Sequence, residues 1–416
     1  MKRPSPIAKR PSAELKPVPT ETNWTVKEVR EVPSFYPLEK SSRFIADNPF
    51  NVASRLSDAC RLMSVQATYD DVLATADLVT EDHVEIHLTL WKGSDKEKTT
   101  TIVEAQRRKG CAVIFHRYCR NLLDAAQGCF ELKGDDPKLL HRVEVERKED
   151  EEEKSALYAL EIAASLLKKD RMDARRLGME SLCLLTDPSQ TGMENALIAS
   201  QVVLFGSVQE PDAKQGETDF IPDELGIREA ILSLVQFGKI REYCDYDSES
   251  EDEDNDTGVE AEFNEVLHNL ALAVLANALE VLELHGNKIA AAAEDSKPSA
   301  NTFLEESKEI SKRELLATLL STLGKAASKP HDARLSAQCL KALFQGSKEA
   351  KRRAKDLNAK QIVMTALDVG RRTHVKLETE TENVIKELER PDDDEGVARG
   401  SNQQHHDEDD SDSEEE

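Results

Sequence analysis

The basic side chains between residues 85 and 120 are the groups in this chain whose types and spacing could do chemistry. Eight lysines and arginines lie there against four acids, although the 416-residue chain has a net charge of −26. Convergent ammonium and guanidinium groups hold phosphates or carboxylates by charge-assisted hydrogen bonds. The sequence therefore predicts an anion- or phospholipid-contacting site, with an ordinary solvated rim as the alternative. Its residues are Lys92, Lys96, Lys98, Arg107, Arg108, Lys109, Arg117 and Arg120.

A second chemical pattern is phosphorylation within acidic runs. Ser248, Ser250, Ser411 and Ser413 are each followed three residues later by an acid. Acidophilic kinases read this spacing, and each phosphate adds about −1.5 to −2 charges. These four serines are predicted phosphorylation sites.

Catalytic and metal-binding patterns are sparse. His83, Glu85 and His87 would share one face of a strand at a spacing compatible with zinc, but no fourth ligand lies nearby in the sequence. Residues 323–328, LGKAAS, lack the first glycine and the Ser/Thr of a phosphate-binding loop. GxSxG and HExxH motifs are also missing. We expect no enzymatic activity, no cofactor and no resident metal.

The negative charge is concentrated in two segments. Residues 245–256 contain eight acids and no base, and residues 392–416 contain twelve acids and one arginine. Such segments cannot bury enough apolar surface to offset the entropy of ordering, which predicts a disordered loop at 245–259 and a disordered tail at 391–416. The negative balance opposes contact with a phosphate backbone, so we expect no direct nucleic-acid partner.

The cysteine pattern and the hydropathy predict the compartment. Seven cysteines, an odd number with no CxxC pair, are typical of reduced thiols. No apolar run approaches the roughly 18 residues of a membrane span, and the charged start of the chain lacks a secretory h-region. The expected location is cytoplasmic and/or nuclear, neither secreted nor transmembrane.

The periodicity of residues 48–130 predicts a small α+β domain. Asn48 followed by Pro49 is a helix-start signal. Apolar and polar side chains alternate over residues 84–90, as in a half-buried strand, and a β-branched segment then returns as its partner. Residues 115–126 carry an apolar stripe at helical spacing. The predicted order is helix, antiparallel meander, helix.

Beyond residue 155 only the helical period remains. We predict about nine helices, near 156–169, 174–186, 193–204, 227–235, 263–282, 304–327, 332–345, 359–370 and 375–389. The predicted organisation is a basic, Pro-rich disordered tail (1–40), the α+β domain (48–130), an acidic linker (131–154) and an all-α armadillo-like solenoid (155–390).

A weak internal repeat supports stacking of these helices. RLGMESLCLL at 176–185 aligns without gaps with RLSAQCLKAL at 334–343. The spacing fits about four units of roughly 40 residues, the armadillo or HEAT period. Coincidence between two amphipathic helices is the alternative.

Two family resemblances add to these patterns. VEIHLTLWKG followed by TIVEAQRRKGCAVIFHRYCRNLLDA resembles the end of the kinase-associated C-terminal domain, over about residues 50–128, although no kinase motif precedes it. DARRLGMESLCLLTD followed by MENALIASQVVL is similar to the last helices of an armadillo repeat. The first resemblance implies contact with anionic phospholipid or a partner surface, and the second implies binding of extended peptides.

These observations favour a non-catalytic adaptor or scaffold that binds a protein segment on its helices. One alternative is an acidic, chaperone-like binder of basic proteins such as histones or ribosomal proteins, through the two acidic segments. A further alternative, based mainly on family resemblance, is a regulator of a kinase or of signalling at a membrane surface.

Overall fold

The computed structural model describes residues 23–93, 100–131, 149–206, 223, 225–240, 258–289, 300–311 and 313–390. The four predicted phosphorylation sites, Lys96, Lys98, the acidic tail and all but the end of the acidic loop lie outside these residues. The described chain has an α+β part (residues 23–131) and a helical part (residues 149–390).

The α+β part contains one five-stranded antiparallel sheet in the order β1-β5-β4-β3-β2. The predicted helix, meander and helix are present, and three further strands, β1, β2 and β3, were not predicted. The elements are β1 (Ser42–Ile45), α1 (Pro49–Leu62), β2 (Gln66–Asp70), β3 (Thr75–Val79), β4 (Glu85–Lys92), β5 (Thr101–Lys109) and α2 (Ala112–Ala126).

Helix α1 begins as its sequence predicts. The Asn48 side chain accepts a hydrogen bond from the Asn51 amide at 2.8 Å, and Pro49 occupies the first helical position. The helix then buries Val52 and Leu56 in the same core as Leu122 of α2. An N-cap side chain satisfies a backbone N–H that otherwise has no intrahelical partner.

Replacing Asn48 with alanine tests this cap. We expect the free energy of unfolding to fall by about 1 kcal/mol because one helix-end donor loses its acceptor. Urea denaturation measures the change, and Asn48→Asp, which keeps an acceptor oxygen, serves as the control. A loss of equal size in both variants would contradict the capping role.

The α+β part begins earlier than predicted. Trp24 is buried and stacks on Tyr69, with ring centroids 5.5 Å apart. The buried Glu104 carboxylate accepts hydrogen bonds from Tyr36 Oη at 3.1 Å and from Trp91 Nε1 at 2.9 Å. The assignment of residues 1–40 to a disordered tail is therefore wrong for residues 23–40, because aromatic side chains hold this stretch against the sheet.

The described part of residues 149–390 contains twelve helices and no strand. The helices are α3 (Glu149–Leu167), α4 (Met172–Leu185), α5 (Pro188–Thr191), α6 (Met193–Phe205), α7 (Ile227–Phe237), α8 (Gly258–Ile289), α9 (Ala300–Ser311), α10 (Leu315–Leu323), α11 (Pro330–Gly346), α12 (Lys348–Asp356), α13 (Ala359–Thr373) and α14 (Val375–Glu389).

This set corrects four expectations. Helices α5 and α12 were not predicted, and the window 304–327 is two helices, α9 and α10. The acidic run at 149–153, assigned to the linker, forms the start of α3, and the end of the predicted acidic loop, 258–259, starts α8. Acidic residues in a first turn are favourable because they face the positive end of the helix dipole.

Helix α8 is the centre of the helical part. It packs against α4, α6, α7 and α11, and α11 in turn packs against α14. The two aligned segments, 176–185 and 334–343, thus lie in helices on either side of α8. The contacts define a mostly helical domain in which α4, α8, α11 and α14 form a row.

One stretch of α8, Glu260–Leu284, is long and apolar enough to cross a membrane by length and composition. Its mean hydropathy is 1.4, and 56% of its apolar window is buried inside the protein. Core helices of soluble proteins pass the same test, and the packing of α8 against four neighbours is that of a core helix.

The two parts meet at the β3–β4 turn, which faces the first turns of α11 and α14. We call this contact the junction. The Glu81 carboxylate pairs with Arg334 of α11 and, at 2.6 Å, with Lys376 Nζ of α14. Burial alone would raise the pKa of Glu81. The attraction of the Arg334 and Lys376 charges outweighs burial and lowers this pKa to about 2.

A chain of hydrogen bonds through two histidines crosses the same junction. The Val79 carbonyl can only accept, so His331 Nε2 carries a proton and donates to it at 3.1 Å. His374 Nε2 then donates to His331 Nδ1 at 3.2 Å, and His374 Nδ1 accepts from the Leu377 amide at 3.1 Å. Each ring must therefore be neutral for the chain to form.

The junction should weaken in acid. Burial lowers the pKa of His331 below 6.5, and burial together with the neighbouring His331 lowers that of His374 to about 3. Below pH 6.5 the unfolded chain binds protons that the folded chain does not, so the free energy of unfolding falls as pH falls. Protonation of Glu81 lowers the free energy of unfolding further as pH falls from 4.5 toward 2.

Urea midpoints between neutral pH and about pH 5 measure this dependence. His374→Asn should flatten the profile, because asparagine keeps an acceptor for the Leu377 amide without a titrating ring. His116→Gln, at an exposed position on α2, is the matched control. A wild-type midpoint that is constant over this range would refute the neutral-histidine chain.

Candidate functional site

Two of the predicted basic side chains, Lys92 and Lys109, lie far apart in the structure. Lys92 lies at one end of β4, and Lys109 of β5 pairs with the other end, at Glu85. The ends of β4 are about 23 Å apart at about 3.3 Å per residue. Lys92 contacts Glu31 at 3.8 Å instead.

Several of the remaining basic side chains have partners within the protein. Arg117 pairs with Asp82 at 3.0 Å, and Arg107 donates to the Gly110 carbonyl at 2.6 Å. Lys109 also pairs with Glu262 of α8, so this side chain belongs to the contact between the two parts. Arg108 and Arg120 are exposed on β5 and α2. Of the six described members, Lys92, Arg107, Lys109 and Arg117 thus have partners within the protein, and a common anion site stays a prediction.

The histidine pattern in this region does not form a metal site. His83 lies in the β3–β4 turn with a φ of 56°, outside the strand that was predicted to align it with Glu85 and His87. His87 Nδ1 lies 2.6 Å from Asp77 Oδ1. Within the described residues no three His, Cys, Asp or Glu side chains are placed to hold a metal ion.

The strongest candidate site is a groove in the helical part, with a volume of about 750 Å³. Its walls are the end of α7 with the following turn (235–239), the first part of α8 (261–268), α10 with the two residues before it (313–322), and residues 325–332. The helices that form it are brought together by the packing of α8 and α10 against α7 and α11.

Two side-chain amides line the groove, and one of them is buried without a hydrogen-bond partner among the described residues. Gln236, near the end of α7, is 7% exposed, and both its Nε2 and its Oε1 are unpaired and shielded from solvent. Asn264 of α8 is half-buried and lines the groove. Leaving a buried amide unpaired costs about 1–3 kcal/mol, which is uncommon without a functional reason.

Charged groups surround these amides. Arg313 lies over the Phe237 ring, 4.5 Å from its centroid, and donates to the Gln236 carbonyl at 3.4 Å. Lys329 pairs with Glu265 at 2.8 Å. Lys239 and Lys325 are exposed at the rim. The groove thus combines an aromatic side chain, a buried amide without a partner among the described residues, and cations, which suits a polar ligand better than a purely apolar one.

The sequence did not identify these groove residues. The available signal was Gln236 itself, a polar residue that directly follows the apolar pair Leu234 and Val235 in the helix IREAILSLVQF. Because the groove is formed by helices distant in sequence, its other members carry no local pattern.

Comparison with known proteins does not identify a family for this chain. No protein-family model matches the chain, and no curated protein and no solved structure is significantly similar to it. The resemblances to kinase-associated and armadillo domains therefore stay predictions.

Proposed function

We propose that this chain is a non-catalytic adaptor or scaffold that binds an extended segment of a protein partner in the groove. The observation that supports this most is the buried amide of Gln236, which lacks a partner among the described residues and lines the groove together with the half-buried amide of Asn264. A primary amide has two donors and one acceptor oxygen, so it can pair with both the N–H and the C=O of a peptide backbone.

The Gln236 amide is enclosed, so binding requires a rotation of its side chain toward the groove. Such a rotation relieves the cost of an unpaired amide, which contributes to the free energy of binding. Asn264, already half-buried at the surface, makes contact without this change. The two amides therefore offer successive pairing points for an extended chain.

The row of helices α4, α8, α11 and α14 is compatible with the one-dimensional stack expected of a solenoid. In such a stack each helix is supported by its neighbours, and surfaces between adjacent helices remain open for binding. We propose the solenoid as the architecture that presents the groove.

Binding of basic proteins by the acidic segments is the second candidate, favoured by the concentration of acids at 245–256 and 392–416. Deleting residues 391–416 separates the two candidates. Loss of a basic client on deletion supports the acidic segments, and retention of a groove-bound segment supports the adaptor.

Site-specific photo-crosslinking tests the groove directly. A photoreactive residue at Ser321, exposed in the groove wall, should capture one defined partner segment. The matched control is the same residue at Thr379, exposed on α14 away from the groove. Mass spectrometry then maps the captured peptide.

The expected result is a single segment that is captured from Ser321 and is captured less efficiently in the Asn264→Ala background. Removal of one hydrogen-bonding partner should lower the affinity about tenfold, equivalent to about 1.4 kcal/mol. Equal capture from Ser321 and Thr379 would mean that the groove is not the binding surface.

A further inference from the structure

Two lysines at the groove rim, Lys239 and Lys325, form no ion pair with the described residues. Lys239 follows the end of α7, and Lys325 follows the end of α10, so they reach the groove from different helices. Both are exposed. In a chain with a net charge of −26, unpaired cations at one cavity are a distinctive feature.

The carboxylates of the groove are mostly occupied. Glu265 pairs with Lys329 at 2.8 Å, and Asp332 Oδ1 accepts from Asn269 Nδ2 at 2.7 Å. Glu314, at the start of α10, is the remaining acid in the wall. Among the residues that the structure describes, no carboxylate therefore pairs with Lys239 or Lys325, and both can pair with carboxylates of a ligand.

We propose that the partner segment bound in the groove is acidic, with Asp or Glu carboxylates paired to Lys239 and Lys325. This inference rests on the proposed function, because it specifies the chemistry of the segment that the groove binds. The backbone of the segment pairs with the Gln236 and Asn264 amides, and its carboxylates make charge-assisted hydrogen bonds at the rim.

Each lysine also follows the carboxyl end of a helix, where a cation is favourable in its own right. A purely structural role would change stability without changing ligand preference. The test must therefore measure preference between ligands that differ only in charge.

The probes are two fluorescent synthetic peptides, one of alternating serine and glutamate and one of alternating serine and glutamine. Anisotropy titration of the full chain should show about tenfold tighter binding of the glutamate peptide at low ionic strength, with the difference reduced by salt. Lys239→Gln combined with Lys325→Gln should remove this preference.

The matched control is Lys360→Gln combined with Lys386→Gln, which changes the net charge equally on exposed positions of α13 and α14. We expect this control to bind both peptides as the wild type does. Equal binding of the two peptides by the wild type, or equal loss of preference in both double variants, would overturn the proposal.

The two experiments distinguish failure of the acidic preference from failure of the adaptor function. If Ser321 captures a segment without acidic residues, the groove binds protein and the acidic preference is wrong. If Ser321 captures nothing beyond the Thr379 control, both fail. Binding of the glutamate peptide only after deletion of residues 391–416 would identify the chain's own tail as the occupant and also overturn an external acidic partner.

Discussion

Replacing Glu81 with alanine should separate the α+β part from the helical part. The side chain is the one carboxylate among the described residues that pairs with both Arg334 and Lys376. Its loss leaves two cations close together at a half-buried junction, with their mutual repulsion no longer compensated. We expect the free energy of unfolding to fall by about 3 kcal/mol.

The urea unfolding curve of the Glu81→Ala variant should also change in shape. Wild-type unfolding in urea is expected as one transition because the junction couples the two parts, whereas Glu81→Ala should give two. Hydrogen exchange should accelerate at the amide of Lys376 in the helical part, which donates to Ser64 Oγ in the α+β part at 2.9 Å.

Asp82→Ala is the matched control for this prediction. Asp82 is the next residue in the turn, but its partner, Arg117, belongs to the α+β part, so its removal leaves the junction intact. We expect a loss below about 1 kcal/mol and a single transition. Equal effects of the two substitutions would show that the turn contributes through its own fold and not through the junction.

Replacing Gln236 with leucine should stabilise the unbound protein and weaken partner binding. Leucine has a similar volume and no unpaired polar atoms, so the substitution removes the cost of a buried amide without a partner. The expected gain is about 1–3 kcal/mol in the free energy of unfolding. The affinity for the segment captured at Ser321 should fall at the same time.

Gln338→Leu provides the comparison. Gln338 Nε2 donates to Glu280 Oε2 at 2.9 Å, so this amide already has its partner. Its replacement should lower stability and leave binding unchanged. A loss of stability in Gln236→Leu comparable with that in Gln338→Leu would show that the Gln236 amide is satisfied, and the argument for the groove would fail.

The sequence predicted elements whose signals are local. Asn48 and Pro49 marked the start of α1, and the alternation at 84–90 marked β4, because capping and strand alternation depend on neighbouring residues. Strands β2 and β3 were missed because each has five residues and few large apolar side chains. Helix α12, KEAKRRAKD, was missed because its only apolar residues are the two alanines, Ala350 and Ala354, which are buried among charged residues.

The junction and the groove could not be predicted in this way. Glu81 is 253 residues from Arg334 and 295 from Lys376, so their pairing depends on the complete fold. For the converse reason, Lys92 does not lie beside Lys109, although the sequence placed both in one basic cluster. Nearness in sequence suggested convergence, but the extended strands β4 and β5 carry Lys92 and Lys109 to opposite ends of the sheet.

The most direct measurement of the central claim is a structure of the chain bound to the segment captured at Ser321. The adaptor account predicts that the segment lies extended between α7, α8 and α10, with its backbone hydrogen-bonded to the Asn264 amide and to a rotated Gln236. A segment seated on another surface, with the groove empty and Gln236 unmoved, would contradict it.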